Sequence, residues 1–215
     1  MVKSCDDPYG FELPVASPTR PRRSRPGGVR LYVDLVPASA WLTNLQAELS
    51  GLEWRLCSAF VMTRAEHRCE ACGARNGRMD CHERWSFDEG AGVQRLTSLQ
   101  ALCSWCHQAT HIGSAQGRAQ FRFAAAHMSR VNGWTDAQFR DHLEQALDIC
   151  RRRSDRAWMV DARHLLTVPI SWSERTRGFI ERHAALLQLA VTGGRQQCIS
   201  LLSSVESDLS ERKED

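Results

Sequence analysis

The chain of 215 residues is 42% hydrophobic and 25% charged, proportions typical of a globular protein with a core of its own. No apolar run is long enough to cross a bilayer, and residues 1–20 carry acids and prolines where a signal peptide needs an apolar stretch. We therefore expect a cytoplasmic protein with no membrane partner. The net charge of +3 is too small to indicate nucleic-acid binding by itself.

Residues 1–30 are expected to form a disordered basic tail. The stretch PTRPRRSRPGGVR holds five arginines, three prolines and two glycines among thirteen residues, with almost nothing that could enter a core. Such a segment either lies along a phosphate backbone as a basic arm or is only a solvated leader, and the sequence leaves both open.

Residues 31–66 are predicted to form the N-terminal helices. Ser39 can cap a short helix, and Ser50-Gly-Leu-Glu53 has the form of a capping box that would start a second helix ending near Glu66. Apolar residues recur at helical spacing behind each cap and define the faces expected to be buried. They are Trp41, Leu42 and Leu45 in the first helix, and Leu52, Leu56, Ala59 and Phe60 in the second.

Residues 67–113 hold five of the nine cysteines. In a reducing compartment, cysteines are more often metal ligands or buried apolar residues than disulfides. Within this segment, Arg78–Phe87 and Val93–Leu96 flank a glycine-containing turn, DEGAG, and predict a β-hairpin. The stretch CHQATHIG predicts a short helix that ends at Gly113.

Residues 114–215 are predicted to form a C-terminal helical region. VNGW at 131–134 should end one helix, Thr135-Asp-Ala-Gln138 is a capping box that should open the next, and Gly193-Gly194 should separate the last two. The expected apolar stripes are Phe121, Phe123, Ala124 and Met128, then Phe139, Leu143, Ala146, Leu147 and Cys150, followed by helices over 173–192 and 195–209. Trp134, Trp158 and Trp172 are either core residues or the surface of a homodimer or partner.

Two cysteine pairs predict a structural zinc site. Cys69 and Cys72 form one C-x2-C pair, and Cys103 and Cys106 form another. The x2 spacing lets both sulfurs of a pair reach one ion, and a hairpin between the pairs would bring four thiolates together around zinc. Gly73 suits the positive backbone angle that such a turn needs. A closed four-cysteine site has no open coordination position, so it anchors the fold and performs no chemistry.

Three histidines are candidates for a second site. On a helix, His107 and His111 would lie on one face, a spacing that chelates metals elsewhere. His82 lies on the first strand of the predicted hairpin, which should pack across that helix. A single histidine in such a position is usually just hydrogen-bonded, but three that converge on one zinc-bound unit favour a functional site.

The segment from Cys69 to Gly113 resembles the HNH endonuclease module, a ββα-metal fold held by two cysteine pairs. The expected fold class is therefore α+β, predominantly helical, with a small zinc-stapled ββα-metal module over residues 67–113. The resemblance implies that His82 is the general base and that His107 and His111 bind the catalytic metal. Trp41 and Asn44 upstream, and VNGW and RRRSDRAWMVD downstream, are similar to one bacterial branch of the family.

The sequence departs from the family pattern at two positions. Cys81 precedes the proposed base where members often have Asp or His as a metal ligand, and Ser98 stands near the middle asparagine. Asp80, Cys81 or Glu83 could complete the second metal site. In a regular strand Asp80 shares a face with His82, whereas Glu83 points to the opposite side, but a local bulge would change that.

The resemblance implies hydrolysis of DNA phosphodiester bonds with a single catalytic divalent metal, which is Mg²⁺, Mn²⁺ or a transition metal, beside the structural Zn²⁺. DNA is the expected partner, and a homodimer through the flanking helices is a further expectation. Four arginines within or beside the module could contact phosphates or form a solvated face: Arg75, Arg78, Arg84 and Arg95.

Two other hypotheses stay open. In the first, the protein is a non-catalytic zinc-binding module that binds nucleic acid or a protein partner. In the second, His107 and His111 only stabilise the fold. A tightly held zinc plus a second exchangeable divalent site would favour the nuclease, and a bound zinc alone would favour the module.

Overall fold

The computed structural model describes residues 29–40, 45–75, 77–115 and 117–191. Within them helices predominate over a three-stranded sheet, which confirms the α+β, mainly helical class. Among the described residues, no helix has the length and apolarity to cross a membrane. The helices are α1 (Leu45–Glu48), α2 (Gly51–Arg64), α3 (Ser104–Thr110), α4 (Arg118–Asn132), α5 (Asp136–Ser154) and α6 (Glu174–Val191), with 3-10 helices at Ala38–Ala40, Ile112–Ser114 and Arg163–Thr167. The strands are β1 (Met79–Asp88), β2 (Val93–Cys103) and β3 (Met159–Asp161).

Several predictions concern residues outside these ranges. Most of the expected tail at residues 1–30, the apolar residues Trp41 and Leu42, and the final helix at 195–209 all lie outside the described residues. Within 31–40 only Ala38–Ala40 is helical, so the prediction of N-terminal helices was wrong for residues 31–37.

The predicted hairpin is confirmed and is longer than expected. β1 and β2 pair antiparallel with His82 opposite Gln100, and the register shifts between Arg84 and Trp85. β2 continues to Cys103, so the strand delivers the second cysteine pair directly to the start of α3. β3 pairs parallel with β2 and was not predicted. Three residues are too few to show an alternating pattern in the sequence.

The capping box that starts α2 is confirmed, but the predicted buried face was wrong. Leu52 is 59% exposed and Leu56 40% exposed, whereas Cys57 and Val61 are fully buried. Relative to the predicted orientation, the helix is rotated so that the face with Glu53, Cys57 and Val61 meets the core.

Glu53 is stabilised by hydrogen bonds from two helix starts. Its carboxylate accepts from the backbone N–H groups of Ser50 (2.9 Å) and Ser173 (2.8 Å) and from the Thr176 hydroxyl (3.0 Å). Burial raises the pKa of Glu53, but the hydrogen bonds from Ser173 and Ser50 outweigh it and lower the pKa to about 2. A buried carboxylate therefore joins α2 to the start of α6.

The core lies on both faces of the hairpin. Residues that alternate along a strand point to opposite faces, so Ala101 and Leu102 enter different clusters. Ala101 packs with α2, β3 and α6, together with the buried Trp172. Leu102 packs with α3, α4 and α5, and this second face carries the cysteines and histidines.

An N-terminal strap, defined here as residues 29–37, has no regular secondary structure but is fixed to the second face. The Asn132 side chain accepts from the backbone N–H groups of Arg30 (2.9 Å) and Leu31 (3.1 Å). The Val33 N–H donates to His142 Nε2 at 3.0 Å, and Leu31 and Val33 are buried in the core of this face. The strap therefore belongs to the folded unit.

The predicted ends of α4 and α5 are confirmed, but the predicted buried stripes only in part, since Phe121 on α4 is 37% exposed. Gly133 ends α4 in a left-handed conformation with φ 70°, and the Thr135–Gln138 capping box opens α5. Phe139 is buried, whereas Leu147 is 39% exposed. Trp158 is buried as well, which favours a core role for this tryptophan over a partner surface.

Candidate metal centres

The hairpin brings the two cysteine pairs together at one end. Cys69 and Cys72 lie in the turn after α2, Cys103 ends β2, and Cys106 lies in the first turn of α3. Their four Sγ atoms all lie within 4.8 Å of one another. The Cys72 and Cys103 sulfurs are 3.7 Å apart. Sulfurs bound at about 2.3 Å to one tetrahedral zinc would be separated by about 3.8 Å, so the spacing fits that ion.

The turn that carries Cys69 and Cys72, called here the first knuckle, has a backbone conformation that suits metal binding. Gly73 has φ 78°, as its position in the sequence predicts, and its N–H donates to the Cys69 carbonyl at 2.8 Å. The Cys72 N–H points at Cys69 Sγ at 3.5 Å. Glu70 fixes the knuckle to β2, because its N–H donates to the Ala101 carbonyl and its carboxylate accepts from the Ala101 N–H.

The close approach of the four sulfurs strongly perturbs the pKa values of the thiols, in opposite directions within the cluster. Hydrogen bonds from the thiols of Cys103 and Cys106 lower the pKa of Cys69 far below its usual range. Hydrogen bonding with Cys103 and Cys69 raises the pKa of Cys106 far above its usual range. Four thiolates so close together need a divalent cation to balance their charge. The cluster can hold a structural metal such as zinc.

A fifth residue, which the sequence did not reveal, touches the cluster from α4. His127 is buried, and its Nε2 lies 3.1 Å from Cys106 Sγ. Arg130 Nη2 lies 2.8 Å from His127 Nδ1. Arginine can only donate, so Nδ1 accepts and the ring proton is on Nε2, where it donates to the sulfur. Burial, followed by the charge of Arg130, lowers the pKa of His127 to about 4, which keeps the ring neutral.

The three candidate histidines also lie close together, on the same hairpin and helix that carry the cysteines. His82 projects from β1, His107 from α3, and His111 is the C-terminal cap of α3. Their ring centroids are 4.9 to 5.5 Å apart, and one nitrogen from each ring lies within 4.8 Å of the others. His82 is only 3% exposed, and its Nε2 has no hydrogen-bond partner among the described residues.

Of the three alternatives for the remaining ligand, Asp80 is the one that faces the histidines. Asp80 Oδ2 lies 3.5 Å from His107 Nδ1. Glu83 and Cys81 point to the other face of the hairpin: Glu83 accepts from Trp85 Nε1 at 2.9 Å, and Cys81 packs against the α2 core. Burial raises the pKa of Glu83 to about 7 and that of Cys81 to about 12.

A second aspartate that the sequence did not reveal lies beside the cluster. Asp34, in the N-terminal strap, places Oδ2 3.6 Å from His82 Nε2. No local pattern marks it, because it lies in a segment without regular structure that a 3-10 helix, α1 and α2 separate from the hairpin. Only the folding of the strap against α3 brings it to the site.

The imidazoles are suited to hold a cation. Burial, followed by the proximity of His82 and His107, lowers the pKa of His111 to about 4. Burial likewise lowers the pKa of His107. Neutral rings keep a lone pair available for a metal at neutral pH, and imidazole suits transition metals. The three rings also line a cavity of about 690 Å³ that Trp54 and Trp85 share.

The four arginines expected near phosphates differ in their partners. Arg95 pairs with buried Asp161 on β3 at 3.0 Å, and Arg84 stacks over the Tyr32 ring at 3.5 Å. Both therefore serve internal contacts. The Arg78 side chain is 83% exposed beside Asp80, and Arg75 is exposed too. Of these four arginines, the exposed Arg75 and Arg78 are the better placed for phosphate contacts.

The chain matches no protein-family model, and neither the curated proteins nor the solved structures contain a significant match to it.

Proposed function

We propose that this protein is a metal-dependent endonuclease of the HNH type that hydrolyses DNA phosphodiester bonds. The observation that carries the proposal is the convergence of His82, His107 and His111 across a hairpin and a helix, beside a closed four-cysteine cluster. Such an arrangement separates a metal that holds the fold from a second cation that takes part in chemistry.

Each histidine has a proposed role. His107 and His111 hold the divalent cation, which when bound supplies Lewis-acid stabilisation of charge at the scissile phosphate. His82 accepts a proton from the attacking water as general base. Its burial between the other two rings fixes its position, and its unpaired Nε2 leaves a nitrogen open to the site.

The charges around the site favour a phosphate substrate. Arg78 extends into solvent from the residue that precedes β1, and Arg75 lies on the turn before it. Arginine forms bidentate contacts with phosphate oxygens, and such contacts position a nucleic acid without reading its sequence. DNA with little sequence preference is therefore the proposed substrate.

Nicking of a supercoiled plasmid tests the proposal. Wild type, His82→Ala and the control His164→Ala are compared at matched zinc content with Mn²⁺ and then Mg²⁺. We expect wild type and His164→Ala to nick the plasmid, and His82→Ala to lose at least about 100-fold in rate, because general-base catalysis contributes about 10² to 10⁴-fold. Equal nicking by all three proteins indicates a contaminant and contradicts the assignment of His82.

A second candidate function is a non-catalytic zinc-binding module that binds nucleic acid. It is favoured by Ser98, which lies opposite Arg84 and not opposite His82 in the ladder and, among the described residues, makes no hydrogen bond to His82 Nε2. Metal analysis separates the two: the module should hold one zinc per chain and no second exchangeable cation. A mobility-shift assay would then show DNA binding with no cleavage.

A further inference from the structure

We infer that Asp34 is the carboxylate ligand that completes the cation site of the histidine cluster. The inference rests on the proposed cation-binding role of that cluster. Asp34 lies in the N-terminal strap, outside the ββα unit that supplies the histidines. The site would therefore be assembled from two parts of the chain that only the tertiary fold brings together.

The first support is the unpaired nitrogen of His82. A buried polar atom without a hydrogen-bond partner is costly to folding, so one that persists points to a partner outside the chain. His82 Nε2 faces Asp34 Oδ2 at 3.6 Å, which is beyond a hydrogen bond. The Asp34 carboxylate thus faces the histidine cluster without a hydrogen bond to His82, and its charge also acts on His111, one of the two proposed cation ligands.

The second support is the way in which Asp34 is held. Its N–H donates to the Thr110 carbonyl at 2.9 Å, in the last turn of α3. Its backbone also forms a hydrogen bond with the His111 ring. A ligand histidine is commonly oriented by a hydrogen bond from its other nitrogen to a carbonyl. Asp34 therefore orients one ring through its backbone and faces another with its carboxylate.

The neighbouring residue of the strap reinforces this placement. Leu35 packs so closely on the 3-10 helix Ile112–Ser114, which follows α3, that a Cβ at Gly113 would lie 2.6 Å from Leu35 Cδ2. Glycine at position 113 permits the strap to approach, and the approach sets the distance between Asp34 and the histidines. The hydrogen bond from the Asp34 N–H and the packing of Leu35 on Gly113 together fix the position of Asp34 in the strap.

Asp80 is the competing carboxylate and is less suited to the role. Its Oδ1 accepts a hydrogen bond from Arg78 Nε at 3.1 Å, which offsets part of its negative charge. Asp34 has no arginine within ion-pair distance in the part of the chain that the structure describes, and Arg84 acts on its charge only from farther away. Asp80 Oδ2 lies beside His107 Nδ1, where it can orient that ring.

Titration of the zinc-loaded protein with Co²⁺, followed by d–d absorbance, tests the inference. Wild type, Asp34→Asn and Asp80→Asn are compared. We expect Asp34→Asn to weaken Co²⁺ binding at the second site at least tenfold, and Asp80→Asn to weaken it less. The backbone bonds of Asp34 do not depend on its carboxylate, so the strap should stay in place. Retained zinc and an unchanged unfolding midpoint in Asp34→Asn would verify this.

Two results would overturn the inference. One is Asp34→Asn binding Co²⁺ as tightly as wild type, with or without a loss in Asp80→Asn. The other is wild type that binds no second Co²⁺. Neither measurement involves DNA, so a protein that fails to nick the plasmid but needs Asp34 for Co²⁺ disproves the nuclease and keeps the cation site.

Discussion

The cysteine cluster and the histidine cluster lie on the same hairpin and helix, yet they differ in how completely their polar groups are bonded within the protein. The four sulfurs point at one another, and His127 adds a hydrogen bond from outside. The three imidazoles line a cavity, and the buried Nε2 of His82 has no hydrogen-bond partner within the described ranges. A site that stabilises a fold is saturated by its own ligands, whereas a site that reacts with another molecule leaves part of its bonding capacity unused.

The two clusters should therefore affect stability in opposite ways. Removal of a cysteine breaks a metal–sulfur bond that stabilises the folded state. Removal of the buried His82 takes away a nitrogen whose lack of a hydrogen bond destabilises the folded state. Three measurements test this contrast.

The largest effect is expected at the cysteine cluster. Cys106→Ser should abolish cooperative unfolding, because structural zinc sites contribute about 10–16 kcal/mol of binding free energy. Stripping zinc from wild type with a chelator should have the same result. Circular dichroism melts with zinc analysis measure both. The control is Cys150→Ser, since the Cys150 thiol makes only a 3.8 Å contact with the Val36 carbonyl. A folded, zinc-free Cys106→Ser protein contradicts the structural role.

The contrast also explains what the sequence could predict. The cysteine site and the hairpin depend on local spacing, so C-x2-C pairs and a glycine turn were enough to predict them. The α2 face was mispredicted because burial of Glu53 depends on Ser173 and Thr176, far along the chain. A pattern of apolar spacing assigns leucine rather than glutamate to the buried face of a helix. It contains no information about hydrogen-bond partners that are distant in the sequence.

Asp34 and His127 were missed for the same physical reason. Each acts on a cluster residue through a contact between distant segments: Asp34 on His82, and His127 on Cys106. An aspartate in an irregular strap and a histidine on an amphipathic helix carry no pattern of their own. The patterns within residues 67–113 pointed to the cysteines and histidines that cluster there, but not to the residues that the rest of the chain contributes.

An intermediate effect is expected from His127. His127→Phe should lower zinc affinity about 10- to 100-fold, the usual cost of losing a partner that hydrogen-bonds to a metal ligand. His127→Gln keeps an N–H donor and should recover part of that loss. Zinc release to a chromophoric chelator gives the affinity. In the Co²⁺-substituted protein, the sulfur-to-metal charge-transfer band should shift for Phe and less for Gln.

A histidine from another helix provides the control for this series. His183 is also a partly buried, hydrogen-bonded histidine, with Nδ1 2.8 Å from the Phe179 carbonyl, but it lies on α6. His183→Phe should leave the charge-transfer band in place. If His127→Phe released zinc no faster than His183→Phe, the hydrogen bond to Cys106 would have no part in holding the metal.

The smallest effect, and the one of opposite sign, is expected at His82. His82→Leu replaces a buried ring whose Nε2 is unpaired with an apolar side chain of smaller volume. Removal of the unpaired group contributes about 1–3 kcal/mol in favour of folding, and incomplete filling of the space offsets part of this. We expect a net gain of about 1 kcal/mol in the free energy of unfolding, with zinc in the cysteine site and no second cation. Saturating Co²⁺ should stabilise both proteins and keep this order, because His107 and His111 hold the cation in each of them. Urea unfolding with and without Co²⁺ measures the free energy of unfolding of both proteins. A His82→Leu protein that is less stable than wild type in both conditions would mean that this histidine is a structural residue.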